Sequence, residues 1–199
     1  MKHQALLNAF PAAGPNLESY ANWLATEGVV RGLIGPREVD RIWDRHLANC
    51  AVMAELIPSE ATIIDIGSGA GLPGLVLAIV RPDCQVTLVE PLLRRSEFLQ
   101  EVVNDLGLSN VTVIRARAEQ VKDRKATVVT ARAVAPLERL IGWAMPLVAP
   151  GGELLAMKGS NAAQEIADAQ NKLSKFQVEI CQVGQQIVDP PTTIVRITR

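Results

Sequence analysis

The segment that most limits the fold is Thr62-Ile63-Ile64-Asp65-Ile66-Gly67-Ser68-Gly69-Ala70-Gly71-Leu72-Pro73-Gly74. It is a β-branched run that ends abruptly in glycines and leads into the apolar stretch 75–80. Glycine permits a sharp turn and lets a ligand approach the backbone at the carboxyl end of a strand. Such a strand–turn–helix unit belongs to a parallel sheet, where crossover helices join neighbouring strands. The chain beyond residue 60 repeats the alternation. Strand-like runs fall at 85–89, 111–114, 127–130 and 153–157, and helical patterns at 92–106, 136–147 and 162–173. Two last runs, 177–183 and 193–198, have no helix between them and pair as an antiparallel hairpin. The expected class is α/β, a seven-stranded, mostly parallel sheet with an antiparallel C-terminal hairpin.

Before residue 60 the pattern is helical. Leu17, Tyr20, Ala21 and Leu24 share one face of a helix over 16–26, which Gly28 ends. From Pro36, apolar positions recur as far as Leu56 in one long amphipathic helix closed by Pro58. The expected organisation is an N-terminal helical cap, 1–59, and a sheet domain, 60–199. The apolar start is broken by Asn8 and stopped by Pro11, too short for a signal peptide. The longest nearly uncharged apolar run is 69–80, whereas a membrane-spanning helix needs about twenty residues. Cys50, Cys84 and Cys181 lie far apart with no C-x-x-C pair, which argues against zinc or disulfides and for a reducing compartment. A cytoplasmic protein is expected. With 20 basic and 21 acidic residues, any nucleic-acid partner has to be read from local patches.

Gly69, Gly71 and Gly74 satisfy G-x-G-x-x-G, so a dinucleotide site competes with a plain strand–helix turn. Two features point elsewhere. Asp65 precedes the glycines, where a carboxylate repels a pyrophosphate and attracts a ligand with sulfonium and ammonium groups. The C-terminal hairpin is the second. Both features mark S-adenosylmethionine-dependent methyltransferases, whose first motif the segment Asp65–Gly74 resembles. Asp44-Arg45-His46-Leu47, Gly71-Leu72-Pro73-Gly74, Arg117-Ala118-Glu119, Ala131-Arg132-Ala133-Val134-Ala135-Pro136-Leu137 and Leu155-Ala156-Met157-Lys158-Gly159 together resemble the small-subunit rRNA guanine-N7 methyltransferases. That family is also called glucose-inhibited division protein B. The resemblance runs from about Gly32 to the C-terminus. It implies the Rossmann-like fold of S-adenosylmethionine-dependent methyltransferases and methyl transfer to N7 of a guanine in 16S rRNA. The alternatives weighed against it are a small-molecule methyltransferase and a dinucleotide-binding oxidoreductase or regulator.

Candidate cofactor contacts are Gly67, Gly69 and Leu72 in the glycine loop, together with Glu90. Glu90 lies 21 residues after Gly69, where an acid accepts hydrogen bonds from ribose hydroxyls. The resemblance adds Ala118 and Glu119 beside the adenine, and Arg132 at the cofactor carboxylate, a contact that suits a guanidinium. Guanine N7 carries a lone pair and no proton, so no general base, nucleophile or metal is expected. Lys158 and His46 are candidates for positioning the guanine.

The segment 115–139 has seven basic residues against three acids, and Arg117, Lys122, Lys125 and Lys158 are candidate rRNA contacts. Arg37, Arg41 and Arg45 line one helix face, where pairing with nearby acids is the default. Asp189-Pro190-Pro191-Thr192 reads as a plain turn between the last two strands. The expected partner is the small ribosomal subunit, approached by a monomer without a membrane or a metal.

Overall fold

A computed structural model describes residues 2–199. The cap begins with α1 (Lys2–Ala9) and α2 (Gly14–Trp23). No sequence pattern announces α1. Leu6 drives its formation, being fully buried in the core. The expected long helix over 36–58 is a helical run of changing pitch. A 3-10 stretch (Pro36–Arg41) leads into a π-helical stretch (Ile42–Leu47), one α-turn, α3 (Ala48–Ala51), and a 3-10 stretch (Val52–Leu56). The apolar spacing does not distinguish these windings, because tight 3-10 and wide π stretches alternate about the α-helical average over so short a run.

The alternating part comprises β1 (Thr62–Ile66), α4 (Gly74–Val80), β2 (Gln85–Val89), α5 (Leu93–Asp105), β3 (Val111–Ile114) and β4 (Ala126–Arg132). Then come α6 (Leu137–Ala144), β5 (Val148–Lys158), α7 (Ala162–Asp168), α8 (Gln170–Leu173), β6 (Gln177–Val183) and β7 (Thr192–Thr198). The sheet order is β3-β2-β1-β4-β5-β7-β6. The first five strands pair in parallel, and β7 inserts antiparallel between β5 and β6. This is the expected class.

β5 starts earlier than its apolar run suggests. Pro150-Gly151-Gly152 sits inside it at a register shift opposite Ala126 and Val128. Gly151 has φ +74, and a Cβ on Gly152 would lie 2.6 Å from the Thr127 carbonyl oxygen, so the glycines form a bulge. The expected helix over 162–173 is two helices, broken at Ala169.

Side chains alternate between the two sheet faces. Ile63, Val86, Leu88, Val128, Leu155 and Ile194 face a core shared by α4, α5 and the cap. Ile64, Ile66, Val89, Val129, Leu154 and Val195 face α6 and Leu173 of α8. The cap therefore contributes Leu6, Leu17, Leu24 and Leu47 to one continuous core with the sheet. Among the described residues no helix is long and apolar enough to cross a membrane.

Candidate cofactor and substrate site

The parallel strands β1 to β5 all end at one edge of the sheet, which is where open α/β folds bind ligands. Four ends matter here: the turn after β3, Glu90 after β2, the glycine loop after β1 and Arg132 closing β4. They follow the strand order, so a ligand lying along this edge meets them in turn. Three strand spacings amount to roughly 14 Å.

The four glycines of the loop do different work. Gly67, Gly69 and Gly71 all have positive φ, which favours glycine. A Cβ on Gly71 would meet Leu75 Cδ1 at 2.3 Å and the Tyr20 hydroxyl at 2.9 Å. One on Gly74 would meet Leu88 Cδ2 at 2.3 Å and Asp65 Oδ2 at 2.7 Å. These two glycines allow close packing beneath the loop. At Gly67 the obstacle is Val134, 2.7 Å away. Beside Gly69 nothing approaches except the Gly67 carbonyl oxygen at 3.8 Å, so this glycine borders open space. Leu72 is half-buried and packs on the cap-side core.

Glu90 is 2% exposed and latches the loop: its Oε2 accepts from Gly69 N (2.9 Å) and its Oε1 from Leu92 N (3.0 Å). A carboxylate oxygen has a second lone pair, so Glu90 retains acceptor capacity. Ala118 and Glu119 lie on the 3-10 turn Ala118–Gln120, half-buried and exposed respectively. Gln120 folds back so that its Oε1 accepts from Arg117 N (3.0 Å). Beside this turn a hollow of about 330 Å³ is lined by Pro91, Arg115, Ala116, Arg117 and Gln120.

Asp65 is fully buried on the cap side of β1. Its Oδ2 accepts from Gly74 N (3.1 Å), while Oδ1 has no partner among the described residues. Burial pushes its carboxyl up to about 7, against the pull of its hydrogen bonds, and Glu90 adds to the rise. Above it the Tyr20 hydroxyl donates to the Ala70 carbonyl (2.7 Å), so the cap braces the glycine loop. An orphan buried oxygen and an open glycine flank fit a ligand that brings positive charge to the loop.

Arg132 forms no ion pair with an acid among the described residues. Its Nη2 donates to His46 Nδ1 (2.6 Å) and its Nη1 to Cys50 Sγ (3.3 Å). His46 Nε2 in turn donates to Glu38 Oε2 (3.1 Å). Because a guanidinium only donates, Nδ1 is the acceptor and the ring proton sits on Nε2. Burial and the neighbouring Arg132 hold the imidazole down to about 4, opposed by Glu38. With both nitrogens engaged and 7% exposure, His46 has no atom free for a guanine, which corrects its candidacy as a base-positioning group.

Lys158 lines the large cleft at this edge, its side chain 7% exposed. Its Nζ donates to Glu165 Oε2 (2.7 Å) and the Ala135 carbonyl (3.0 Å), which engages two of its three N–H groups. Glu165 Oε2 also accepts from Leu137 N (2.8 Å). Lys158 and Glu165 thus clamp the loop 133–136, in which Ala133 has φ +52 and Val134 covers Gly67.

That loop is one wall of a cleft of about 960 Å³. Arg45 and Asn49 of the cap form a second wall, and Pro190, Pro191 and Thr192 a third. The segment 189–192 does join the last two strands, yet it also lines the site: Thr192 Oγ1 donates to Asn49 Oδ1 (3.2 Å), tying hairpin to cap. Neither Asn49 nor the hairpin's part in the cleft is signalled by any motif. Arg45 pairs with Glu38 (2.9 Å) and remains exposed. Arg117, Lys122 and Lys125 are exposed and lie apart from the cleft walls. Among the described residues no three His, Cys, Asp or Glu gather as a metal site.

The architecture is shared with solved methyltransferases at low identity. A precorrin-6y C5,15-methyltransferase from Geobacter metallireducens superposes with a TM-score of 0.57 at 16% identity, covering 84% of this chain and 90% of that one. A ribosomal protein L11 methylase from Lactobacillus delbrueckii gives 0.57 at 15% identity, covering 77% and 76%. These likenesses concern the fold. Sequence relatives are much nearer. The ribosomal RNA small subunit methyltransferase G of Thermobifida fusca is 57% identical over 188 residues, 92% of this chain and 79% of the relative. That of Corynebacterium efficiens is 50% identical over 196 residues, 94% and 84% respectively. The family model described as rRNA small subunit methyltransferase G matches residues 14–188, which takes in the glycine loop, Glu90, the Arg132 loop and the cap wall of the cleft. By sequence, the chain belongs to the rRNA small subunit methyltransferase G family.

Proposed function

We propose that this chain transfers a methyl group from S-adenosylmethionine to N7 of a guanine in 16S rRNA of the small ribosomal subunit. The observation that carries the reading is the position of Arg132, which closes β4 on the edge where Glu90 latches Gly69 and which also lines the 960 Å³ cleft. In this reading the adenine lies by Ala118 and Glu119, the ribose hydroxyls bond Glu90, and Gly67, Gly69 and Leu72 flank the sulfonium. Arg132 meets the carboxylate. When bound, S-adenosylmethionine supplies a methyl group on a positively charged sulfur.

The chain's own part is placement. Asp65 sits under the loop as a counter-charge for the cationic end of the ligand. Loop 133–136, clamped by Lys158 and Glu165, separates the glycine loop from the cleft and sets the line of approach. Guanine N7 attacks with its own lone pair, so no side chain has to remove a proton. Alignment and the partial exclusion of water then supply the rate gain.

The cap, 1–59, serves the site rather than standing apart from it, through Tyr20, His46 and Asn49. Arg117, Lys122 and Lys125 hold the RNA backbone at a distance from the reacting base. The reading is of a cytoplasmic monomer acting on the ribosomal subunit. Transfer of a tritiated methyl group to purified small subunits, with the modified nucleotide mapped, tests it. Label at guanine N7 is the expected result. Label at another atom, or binding of NAD(P) in place of S-adenosylmethionine, overturns it.

A further inference from the structure

The cap reaches the cofactor edge through one chain of contacts that the methyl-transfer chemistry does not require. Glu38, His46 and Arg132 are linked in series at 3.1 and 2.6 Å, although Glu38 and Arg132 are 94 residues apart in sequence. A free arginine side chain samples many rotamers, and fixing it costs entropy. Here the cost is met within the protein. His46 Nδ1 takes one N–H of Arg132, Cys50 Sγ takes a second, and the remaining three are unengaged among the described residues. Arg132 itself lines the cleft.

We propose that Glu38 and His46 are positioning residues that aim the Arg132 guanidinium at the carboxylate of the bound cofactor. This inference rests on the reading that Arg132 meets that carboxylate. His46 acts as a relay of direction and not of protons. Glu38 fixes the ring by accepting from Nε2, which presents Nδ1 to Arg132 as a single, fixed acceptor. Glu38 is itself held by Arg45 from the other oxygen, so the anchor is a three-residue bracket on the cap. Three N–H groups of Arg132 then remain for a ligand, in a direction set before binding. The cap thereby influences cofactor affinity without touching the cofactor.

The two amide substitutions at His46 separate this role from mere packing. In His46→Asn, Oδ1 stands where Nδ1 stood, so Arg132 keeps its acceptor. In His46→Gln, the amide reaches the Nε2 position, so Glu38 keeps its partner and Arg132 is left without its own. The measurement is calorimetric affinity of the full chain for S-adenosylhomocysteine and for 5′-methylthioadenosine, which lacks the amino-acid carboxylate. Melting curves verify that each variant is folded.

Arg132→Met is expected to weaken S-adenosylhomocysteine about tenfold or more, the worth of one charge-assisted hydrogen bond. It should leave 5′-methylthioadenosine unchanged. His46→Gln should reproduce about three- to tenfold of that selective loss, while Glu38→Ala and His46→Asn, which keep an acceptor for Arg132 but lose its anchor on Glu38, should each show a smaller selective loss than His46→Gln. If Arg132→Met loses the carboxylate ligand selectively while folded His46→Gln and Glu38→Ala do not, the positioning role is overturned and the carboxylate reading stands. If Arg132→Met weakens neither ligand, or both equally, the carboxylate reading itself fails and takes the inference with it. Equal losses of both ligands in the His46 variants would mark a structural role and likewise overturn the proposal.

Discussion

Gly69 and Gly71 look alike in the sequence, two glycines of one motif with positive φ, yet their surroundings assign them opposite roles. Gly69→Val is expected to abolish cofactor binding at a folding cost of only about 1–2 kcal/mol for the left-handed backbone. Gly71→Val drives a branched side chain into Leu75 and Tyr20, so it should fail to fold or melt far below the parent. Calorimetry beside thermal melts distinguishes the two. Gly67→Val is a poorer probe, because its side chain meets Val134 before any ligand. Asp65 yields a pH prediction. With its carboxyl raised to about 7 by burial, it is largely protonated below neutrality. A cationic ligand favours the ionised form, so affinity should improve as the pH rises from 6 to 8, with proton release near pH 7. Titrations in buffers of different protonation enthalpy measure that release, and Asp65→Asn should remove it. The stability sign is the reverse. Between about 4 and 7 the folded chain retains a proton that the unfolded chain has lost, so this group makes the ligand-free protein less stable as pH rises. His46 works oppositely: held down to about 4, it favours the folded state increasingly as pH rises from about 4 to its ordinary 6.5. Once the complex is preformed, single-turnover methyl transfer should be flat from about pH 6.5 to 8.5, since N7 needs no base. A bell-shaped profile would indicate a titrating acid and base in the transfer step.

Among the elements, the loop between β4 and α6 is the least self-sufficient. Ala133 is bent to positive φ, and residues 133–136 are held from outside by Lys158 at the end of β5 and Glu165 on α7. Glu165→Ala strands a buried ammonium and removes the acceptor of Leu137 N. The expected cost is about 3 kcal/mol, measured by chemical denaturation, because breaking a buried pair leaves an uncompensated charge. The double variant Glu165→Gln with Lys158→Met should recover part of that stability. Catalysis should not recover with it: kcat/KM for rRNA is expected to remain depressed while cofactor affinity stays near the parent's. A fully active double variant would show that the clamp serves folding alone. The hairpin β6–β7 presents the converse case. Its pairing follows from chain connectivity, whereas its part in the cleft depends on the Thr192–Asn49 contact with the cap.

For the molecule as a whole, a net charge of −1 leaves no general attraction to RNA, so binding has to be local. Of the exposed side chains in the net positive segment, Arg117 follows β3 on the cofactor edge of the sheet, whereas Lys122 and Lys125 lie on the way to the start of β4, with Lys125 directly before it toward the opposite edge. Charge reversal of any one should weaken rRNA methylation while sparing cofactor affinity. The logarithmic salt slope should fall by about 0.7–0.9 for each phosphate that is no longer neutralised. Unchanged slopes in all three variants would move the RNA surface elsewhere, with the Arg45 side of the cleft the next to test.

Local patterns in the chain are enough to establish the alternation of strands and helices, the C-terminal hairpin, the glycine loop and the acid after β2. Period-two and helical hydrophobicity mark the elements, glycine marks the turn, and a fixed interval leads from loop to acid. The family is legible in the same way, through motifs that are contiguous in the chain. What the polar side chains do is legible only in three dimensions. His46 and Lys158 are a histidine and a lysine near a ligand edge in either case, and nothing in their neighbours announces Arg132 or Glu165. Those partners arrive from 86 residues away on β4 and from the next helix, and they give each of the two side chains a structural bond that its own neighbours do not announce. The same holds for Asn49 and Thr192, joined across 143 residues in the cleft wall. Hydrophobic patterning records which face of an element is buried. The partner of a buried polar atom depends on which elements pack together, and that is fixed only when the whole chain has folded.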